Sequence, residues 1–396
     1  MDLFKKCEAT VKAVKRAKDN NIYPYFTPIE SVQDHRVKIQ GREYIMIGSN
    51  GYLGLAADPR LKEAAIEAVK RYGSTCSGSR FLNGTLDIHL KLEEELAKFF
   101  EKDGAIVFST GFQTNLGIIS SIAGKDDVIV IDRQDHASII DGCRLSFAEV
   151  KKFKHNDMED LERILKSIPG AKGKLIVVDG VFSMEGDVIH LPEVIKLKEK
   201  YGARLLVDDA HGIGVMGANG RGVCEHFNLL DKVDIIMGTF SKSFASLGGF
   251  VVASDTVITH IRHTARALIF SASMTPASVA SALKALEIIK NEPERRQRLW
   301  EITERVRAGF KKLGLDTGNS TTPVIPVIIG EDEKCFAFWK ALFENGVFAN
   351  PVISPATPPG RALIRTSYMA THTDDDISIV LEVFKECAEK FELIND

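Results

Sequence analysis

Cysteine is sparse in this chain of 396 residues, and what there is stands apart: Cys7, Cys76, Cys143, Cys224, Cys335 and Cys387 form no C-x-x-C pair. With no paired histidines near them, a structural metal is not expected, and the pattern reads as a reduced, cytoplasmic protein. No apolar run reaches the roughly 20 residues that cross a bilayer. The N-terminal stretch MDLFKKCEATVKAVKRAKDN lacks the apolar block of a secretory signal and predicts a solvated helix, whose basic, partly amphipathic character leaves peripheral membrane contact open. A basic excess is missing too: 51 Lys and Arg stand against 54 Asp and Glu, interspersed as on solvated helix faces, which argues against nucleic acid as a partner. Internal repeats, low-complexity tracts and Gly/Ser linkers are also absent, so the chain should pack throughout.

What is present is the composition of an ordinary globular protein of two or so domains, 44% hydrophobic and 27% charged. From about residue 45 to about residue 275, short apolar runs alternate with helix-length stretches: AIVFST, DVIVID, KLIVVDG, RLLVDD, VDIIMGTF and GGFVVAS. This alternation predicts an α/β fold, a mostly parallel sheet with helices on both faces. LDIHLKLEEELAKFF and LPEVIKLKEKYG read as helices, the second with Pro192 in its first turn and Gly202 as its stop. Beyond about residue 278 a long helical stretch through NEPERRQRLWEITERVRAGFKKLG leads to strand PVIPVIIG, helix EKCFAFWKALFENG, strand RALIRTSYM and a last helix. The expected organisation is an N-terminal helix and lead-in segment (1–45), a cofactor-binding α/β domain (46–285) and a smaller C-terminal α+β domain (286–396).

In such sheets ligands gather at the carboxyl ends of the strands. AIVFST is followed by Gly111-Phe112-Gln113-Thr114-Asn115, a glycine turn before a helix TNLGIISSIAG, the arrangement that offers free N–H groups to a phosphate. DVIVID delivers His136, suited either to lie flat on a planar ligand or to sit as a satisfied loop residue. KLIVVDG delivers Ser183 and Glu185. RLLVDD delivers Asp208 and, three residues on, His211; a buried carboxylate facing a ring nitrogen keeps that nitrogen protonated, although acids at strand ends are often only caps.

GIGVMG (212–217) fits G-x-G-x-x-G, but it follows an intervening DDAH and precedes ANGRG where a dinucleotide site needs a helix, so a nucleotide reading is rejected. In GTFSKSFASLGGF, Lys242 follows a buried-looking strand and is flanked by serines and apolar residues. Burial lowers the pKa of an amine and makes it a nucleophile able to bond an aldehyde. A phosphate-type turn, His136, Asp208 and Lys242, each at a strand end, are together the parts that bind pyridoxal 5'-phosphate.

Over nearly its whole length the sequence resembles the α-oxoamine synthases, fold-type I pyridoxal-phosphate enzymes of aspartate aminotransferase-like fold that join an amino acid to an acyl-CoA with loss of CO2. GSNGYLGL, GSRFLNGTLDIHLKLEEELA, DHASIIDG, DGVFSMEGD, VDDAHGIGVMG, GTFSKS and RALIRTSYMATHT carry the resemblance. SGSRFLNGT, FSTGFQTNLG, FSASMTPASVASALKALEIIKNEPE and PATP are most similar to the bacterial subgroup acting on L-serine and long-chain acyl-CoA. The resemblance implies Lys242 as the covalent anchor, Asp208 on the pyridine nitrogen, His211 as a donor to the ring hydroxyl, and His136 stacked on the ring with Ser183 nearby. It implies phosphate on the Gly111 and Phe112 amides and the Thr239 hydroxyl, with Ser273 reaching in from the partner of a homodimer. Arg365 is implied to grip the substrate carboxylate, with Asn50 in the amino-acid pocket; Arg80 and Arg361 are secondary candidates.

The reaction implied is condensation of L-serine with palmitoyl-CoA to 3-oxosphinganine, CoA and CO2, with Lys242 as general base. The alternatives are the glycine and acetyl-CoA reaction, or another member activity such as 8-amino-7-oxononanoate synthesis. Two other classes share the fold: a non-catalytic relative, expected to lack the lysine, and an aminotransferase, which would release no CoA.

Overall fold

The computed structural model describes residues 2–394. Met1, Asn395 and Asp396, counted above in the lead-in segment and the C-terminal domain, lie outside the described residues. All six apolar runs form strands of one seven-stranded sheet, in the order Gly104–Phe108, Gly249–Ala253, Ile235–Thr239, Arg204–Asp208, Gly173–Asp179, Asp127–Asp132, Glu149–Phe153. Gly249–Ala253 pairs antiparallel with both neighbours, and the remaining pairs are parallel.

Successive residues of a strand point to opposite faces, and the core divides accordingly. Val128 and Val130 join the hydrophobic cluster on one face, while Ile129 and Ile131 join the cluster on the other. Burying a Val or Ile side chain stabilises the fold by about 1.5–3 kcal/mol, so a strand apolar on both faces is held from both. The seventh strand, Glu149–Phe153, was not expected. Its sequence EVKKF is mostly exposed at the sheet edge, where charged side chains discourage further pairing.

Two helix boundaries differ from expectation. The helix after Gly104–Phe108 is Gly111–Ile122, so Gly111 is its first residue rather than part of a preceding turn. Thr110 caps it, its hydroxyl accepting from Gln113 N at 3.1 Å. Gly117 lets this helix lie on the sheet, since a Cβ there would stand 2.5 Å from the Phe108 ring. The long C-terminal helical stretch is two helices, Pro276–Asn291 and Pro293–Lys312. Pro293 lacks the N–H to continue the first helix but suits the first turn of the next. Residue 285 therefore lies inside a helix, and we propose the break at Glu292 as the division between the units.

Leu191–Tyr201 runs as expected, from Pro192 in its first turn to a left-handed Gly202 at φ 61°. Two further three-stranded sheets flank the main one: Val324–Gly330, Ala362–Ser367 and Asn350–Val352, all antiparallel, and a hairpin Arg36–Ile39 with Arg42–Met46 that Val347–Phe348 extends. The hairpin was not anticipated. One continuous cluster joins the central sheet to the Val324–Gly330 strand through Ile325 and Val327. The N-terminal helix Cys7–Asp19 has no buried residue, and among the described residues no helix is long and apolar enough to cross a membrane.

Candidate active site

At the carboxyl ends of Gly173–Asp179, Arg204–Asp208 and Ile235–Thr239 lies a cavity of about 250 Å³. Lys242, Asp208, His211, His136, Ser183, Thr239, Gly111 and Phe112 all line it, although they come from five separate strand ends. Asn50, Arg365 and Ser273 stand outside that lining.

The cradle at one end follows from glycine. Gly111 opens its helix beside Thr239, and a Cβ at position 111 would stand 2.7 Å from Thr239 Oγ1. Thr239 Oγ1 lies 2.9 Å from Ser241 Oγ and donates to Gly248 O at 3.1 Å. Free helix amides with hydroxyls alongside are chemistry for a phosphate.

Asp208, also on the cavity wall, is buried, accepting from Asn115 Nδ2 at 2.6 Å and from Ala210 N at 3.0 Å. Asn115 also donates to Ser138 Oγ at 2.9 Å, and that hydroxyl lies 2.7 Å from His136 Nδ1, which also accepts from Ser138 N. Because Nδ1 accepts, the ring proton of neutral His136 belongs on Nε2. Burial lowers the His136 pKa, with Lys242 adding to the shift and Asp208 opposing it. Asp179 lines the same cavity and accepts from His136 N at 2.9 Å; burial, then the charge of Asp208, raises its pKa well above the usual range.

Lys242 is the amine of this cavity. Burial lowers its pKa from 10.5 to about 8, while Asp208 and Asp179 pull the other way. An amine so placed is partly neutral near physiological pH and therefore nucleophilic.

Arg365 reaches the site from the Ala362–Ser367 strand. Its Nε donates to Ser183 O at 2.5 Å and its Nη2 to Asn50 Oδ1 at 2.9 Å, which explains why Asn50 and Arg365 belong together beside the cavity. Ser273 is bonded elsewhere in its own chain, to Gly78 O at 3.1 Å. Arg80 is neither at the cavity nor solvated: it forms a buried ion pair with Glu93 at 2.6 Å, while Arg361 is exposed. Thr110, Asn115, Ser138, Asp179 and Tyr52 were given no role from sequence. Their only signal was position, inside motifs already singled out for other residues.

GIGVMG has an internal explanation. Asp209 is buried, its Oδ2 accepting from Val223 N at 2.6 Å, and burial raises its pKa to about 7. A Cβ at Gly212 or at Gly222 would collide with that carboxyl group. Gly212 makes room for Asp209, while Gly214 and Gly217 make room for Ser243 and Glu225, so the glycines serve side chains of this same chain.

The cradle, the buried acid and the low-pKa amine fit pyridoxal phosphate: helix amides for the phosphate, a carboxylate for the pyridine nitrogen and an amine for the aldehyde. Comparison with known proteins points the same way. The signature of the family described as aminotransferase class I and II matches residues 42–384. Serine palmitoyltransferase of Sphingobacterium spiritivorum is 53% identical over 377 residues, 94% of each chain. The 8-amino-7-oxononanoate synthase of Thermoanaerobacter pseudethanolicus is 43% identical over 382 residues, 96% of this chain and 97% of that one. Among solved structures, a variant serine palmitoyltransferase from S. paucimobilis with a bound PLP–myriocin aldimine superposes with a TM-score of 0.97 at 37% identity over 100% of both chains. A lysine, an acid and a phosphate cradle at the strand ends of this sheet, in a chain alike to these enzymes from end to end, mean that it belongs to the aminotransferase class I and II family and, within it, to the α-oxoamine synthases.

Proposed function

We propose that this protein condenses L-serine with a long-chain acyl-CoA, palmitoyl-CoA being the reference substrate, to give 3-oxosphinganine, CoA and CO2. The observation that carries the substrate choice is the gap in identity: 53% to a serine palmitoyltransferase against 43% to an 8-amino-7-oxononanoate synthase, each over nearly the full chain. Exposed Phe112 and Leu247 on the cavity lining supply apolar surface in keeping with a fatty acyl chain.

Held at Lys242, pyridoxal phosphate supplies an electron sink for negative charge at the amino-acid Cα. Asp208, fixed by Asn115, would keep the pyridine nitrogen of the bound cofactor protonated. The Gly111 and Phe112 amides would hold the phosphate, with the Thr239 hydroxyl turning from Gly248 O to join them. Arg365 pairs with the substrate carboxylate and so sets which bond at Cα stands ready to break. As a free amine in the cavity, Lys242 Nζ would take the Cα proton as general base. His136 Nε2–H then donates to the thioester oxygen as charge develops on it.

A homodimer is part of the proposal. Ser273 and the adjacent exposed Phe270 and Leu82 flank the bridge between Ser79 and Ala272, and this apolar edge supports cover by a second copy. The six free cysteines support a cytoplasmic location, with peripheral membrane contact left to the N-terminal helix.

The test is CoA thiol release by the purified protein loaded with pyridoxal phosphate. Faster release from L-serine plus palmitoyl-CoA than from glycine plus acetyl-CoA is expected; the reverse order would overturn the substrates while leaving the family chemistry in place.

A further inference from the structure

Tyr52 lies in the loop Gly48-Ser-Asn-Gly-Tyr52, buried to 1% exposure, with its hydroxyl 2.6 Å from His211 Nδ1. Two neighbours decide where its single proton points. The Arg365 guanidinium, whose charge acts on the phenol, has only N–H groups and so offers the O–H no acceptor. Burial raises the phenol pKa to about 12 against the pull of Arg365, so the O–H stays intact at neutral pH. The remaining partner is His211 Nδ1.

His211 is itself neutral. Burial, then the charges of Lys242 and Arg365, lowers its pKa well below the ordinary value. A neutral imidazole carries one ring proton, and a nitrogen that accepts a hydrogen bond cannot hold it. With Nδ1 accepting from Tyr52, the proton is on Nε2.

We propose that Tyr52 is a positioning residue: its hydroxyl, 2.6 Å from His211 Nδ1, fixes His211 in the Nε2–H tautomer, so that the ring offers the cavity a donor rather than an acceptor. The phenol thereby links two parts of the site. Arg365, steadied by Asn50 and Ser183, acts on the phenol through its charge, and Tyr52 orders His211. The inference rests on the proposed function in one respect, that His211 faces the ring hydroxyl of the cofactor.

The experiment begins without cofactor. In ¹⁵N-histidine-labelled apo-protein, with His211 assigned by its loss in His211→Asn, the wild type is expected to show His211 protonated on Nε2. In Tyr52→Phe, which keeps the ring and removes only the hydroxyl, the Nδ1–H form is expected to appear. In the loaded proteins, Tyr52→Phe is expected to lower kcat about tenfold, the worth of one buried hydrogen bond, to leave KM for palmitoyl-CoA unchanged, and to shift the balance between the two visible bands of the bound cofactor. His211 protonated on Nδ1 in the wild type overturns the proposal whatever the variant does, as does an unchanged tautomer in Tyr52→Phe. A wild type that releases no CoA would instead overturn the proposed function, and the apo-protein spectra do not depend on that result.

Discussion

Asn115 Nδ2 donates to Asp208 Oδ2 across 2.6 Å, and both side chains are sealed from solvent. Asn115 is four residues along the helix that Gly111 opens, about 6 Å up its axis. One rigid helix thus spaces the phosphate cradle from the acid. Asn115→Ala would leave the cradle intact and free Asp208 to turn. Pyridoxal phosphate affinity, measured by equilibrium dialysis, is expected to fall about tenfold; unchanged affinity would show that Asp208 is held by Ala210 N alone.

The amine of Lys242 must be neutral to bond an aldehyde. With its pKa lowered to about 8, the rate at which apo-protein gains the absorbance of bound pyridoxal phosphate should rise with pH and level off above about 8. A midpoint near the ordinary 10.5 would mean that burial does not act on this group. Lys242→Ala should lose that absorbance and CoA release together.

Arg365 makes two hydrogen bonds through different nitrogens of one planar fork. Lysine cannot reproduce the fork. Arg365→Lys is expected to raise KM for L-serine about 10–100-fold, with KM for palmitoyl-CoA within about twofold. Equal rises for both substrates in steady-state kinetics would remove Arg365 from the carboxylate site.

His155 bridges Asp132 at 3.1 Å and Asp187 at 3.0 Å behind the cavity. Burial opposes its charge, but hydrogen bonds to the two acids outweigh that and raise its pKa from 6.5 to about 10. A folded-state pKa above the unfolded one gives stability that is full below 6.5 and is lost as pH rises through about 10. The Tm gap between wild type and His155→Gln should therefore be roughly 2–5 °C below pH 6.5 and shrink toward pH 10. A gap that widens with pH would mean His155 is neutral in the folded protein.

Strands buried on both faces could be read from the sequence because their apolar runs are continuous, as in DVIVID and RLLVDD. Glu149–Phe153 could not, since an edge strand carrying EVKKF looks like any solvated segment. The hairpin Arg36–Met46 did leave a trace, a two-residue turn at Gln40-Gly41 with both φ positive. In the site, groups that carry charge at strand ends were legible. The groups that orient them were not, because Asn115 is 93 residues from Asp208 and Tyr52 is 159 from His211. No local pattern spans such separations, and a side chain expected from a second copy, such as Ser273, leaves no spacing to read at all.

The loop that wraps Asp209 bears on how this chain can change over time. A glycine-rich nucleotide loop is moulded to a phosphate that arrives and leaves; here the guest is permanently attached, a side chain three residues before Gly212. A methyl group added at 212 or 222 has room only if residue 209 is shortened, and a shortened residue 209 leaves Val223 N without its acceptor. Positions 209, 212 and 222 therefore behave as a single heritable unit, expected to be kept together or replaced together among descendants of this sequence.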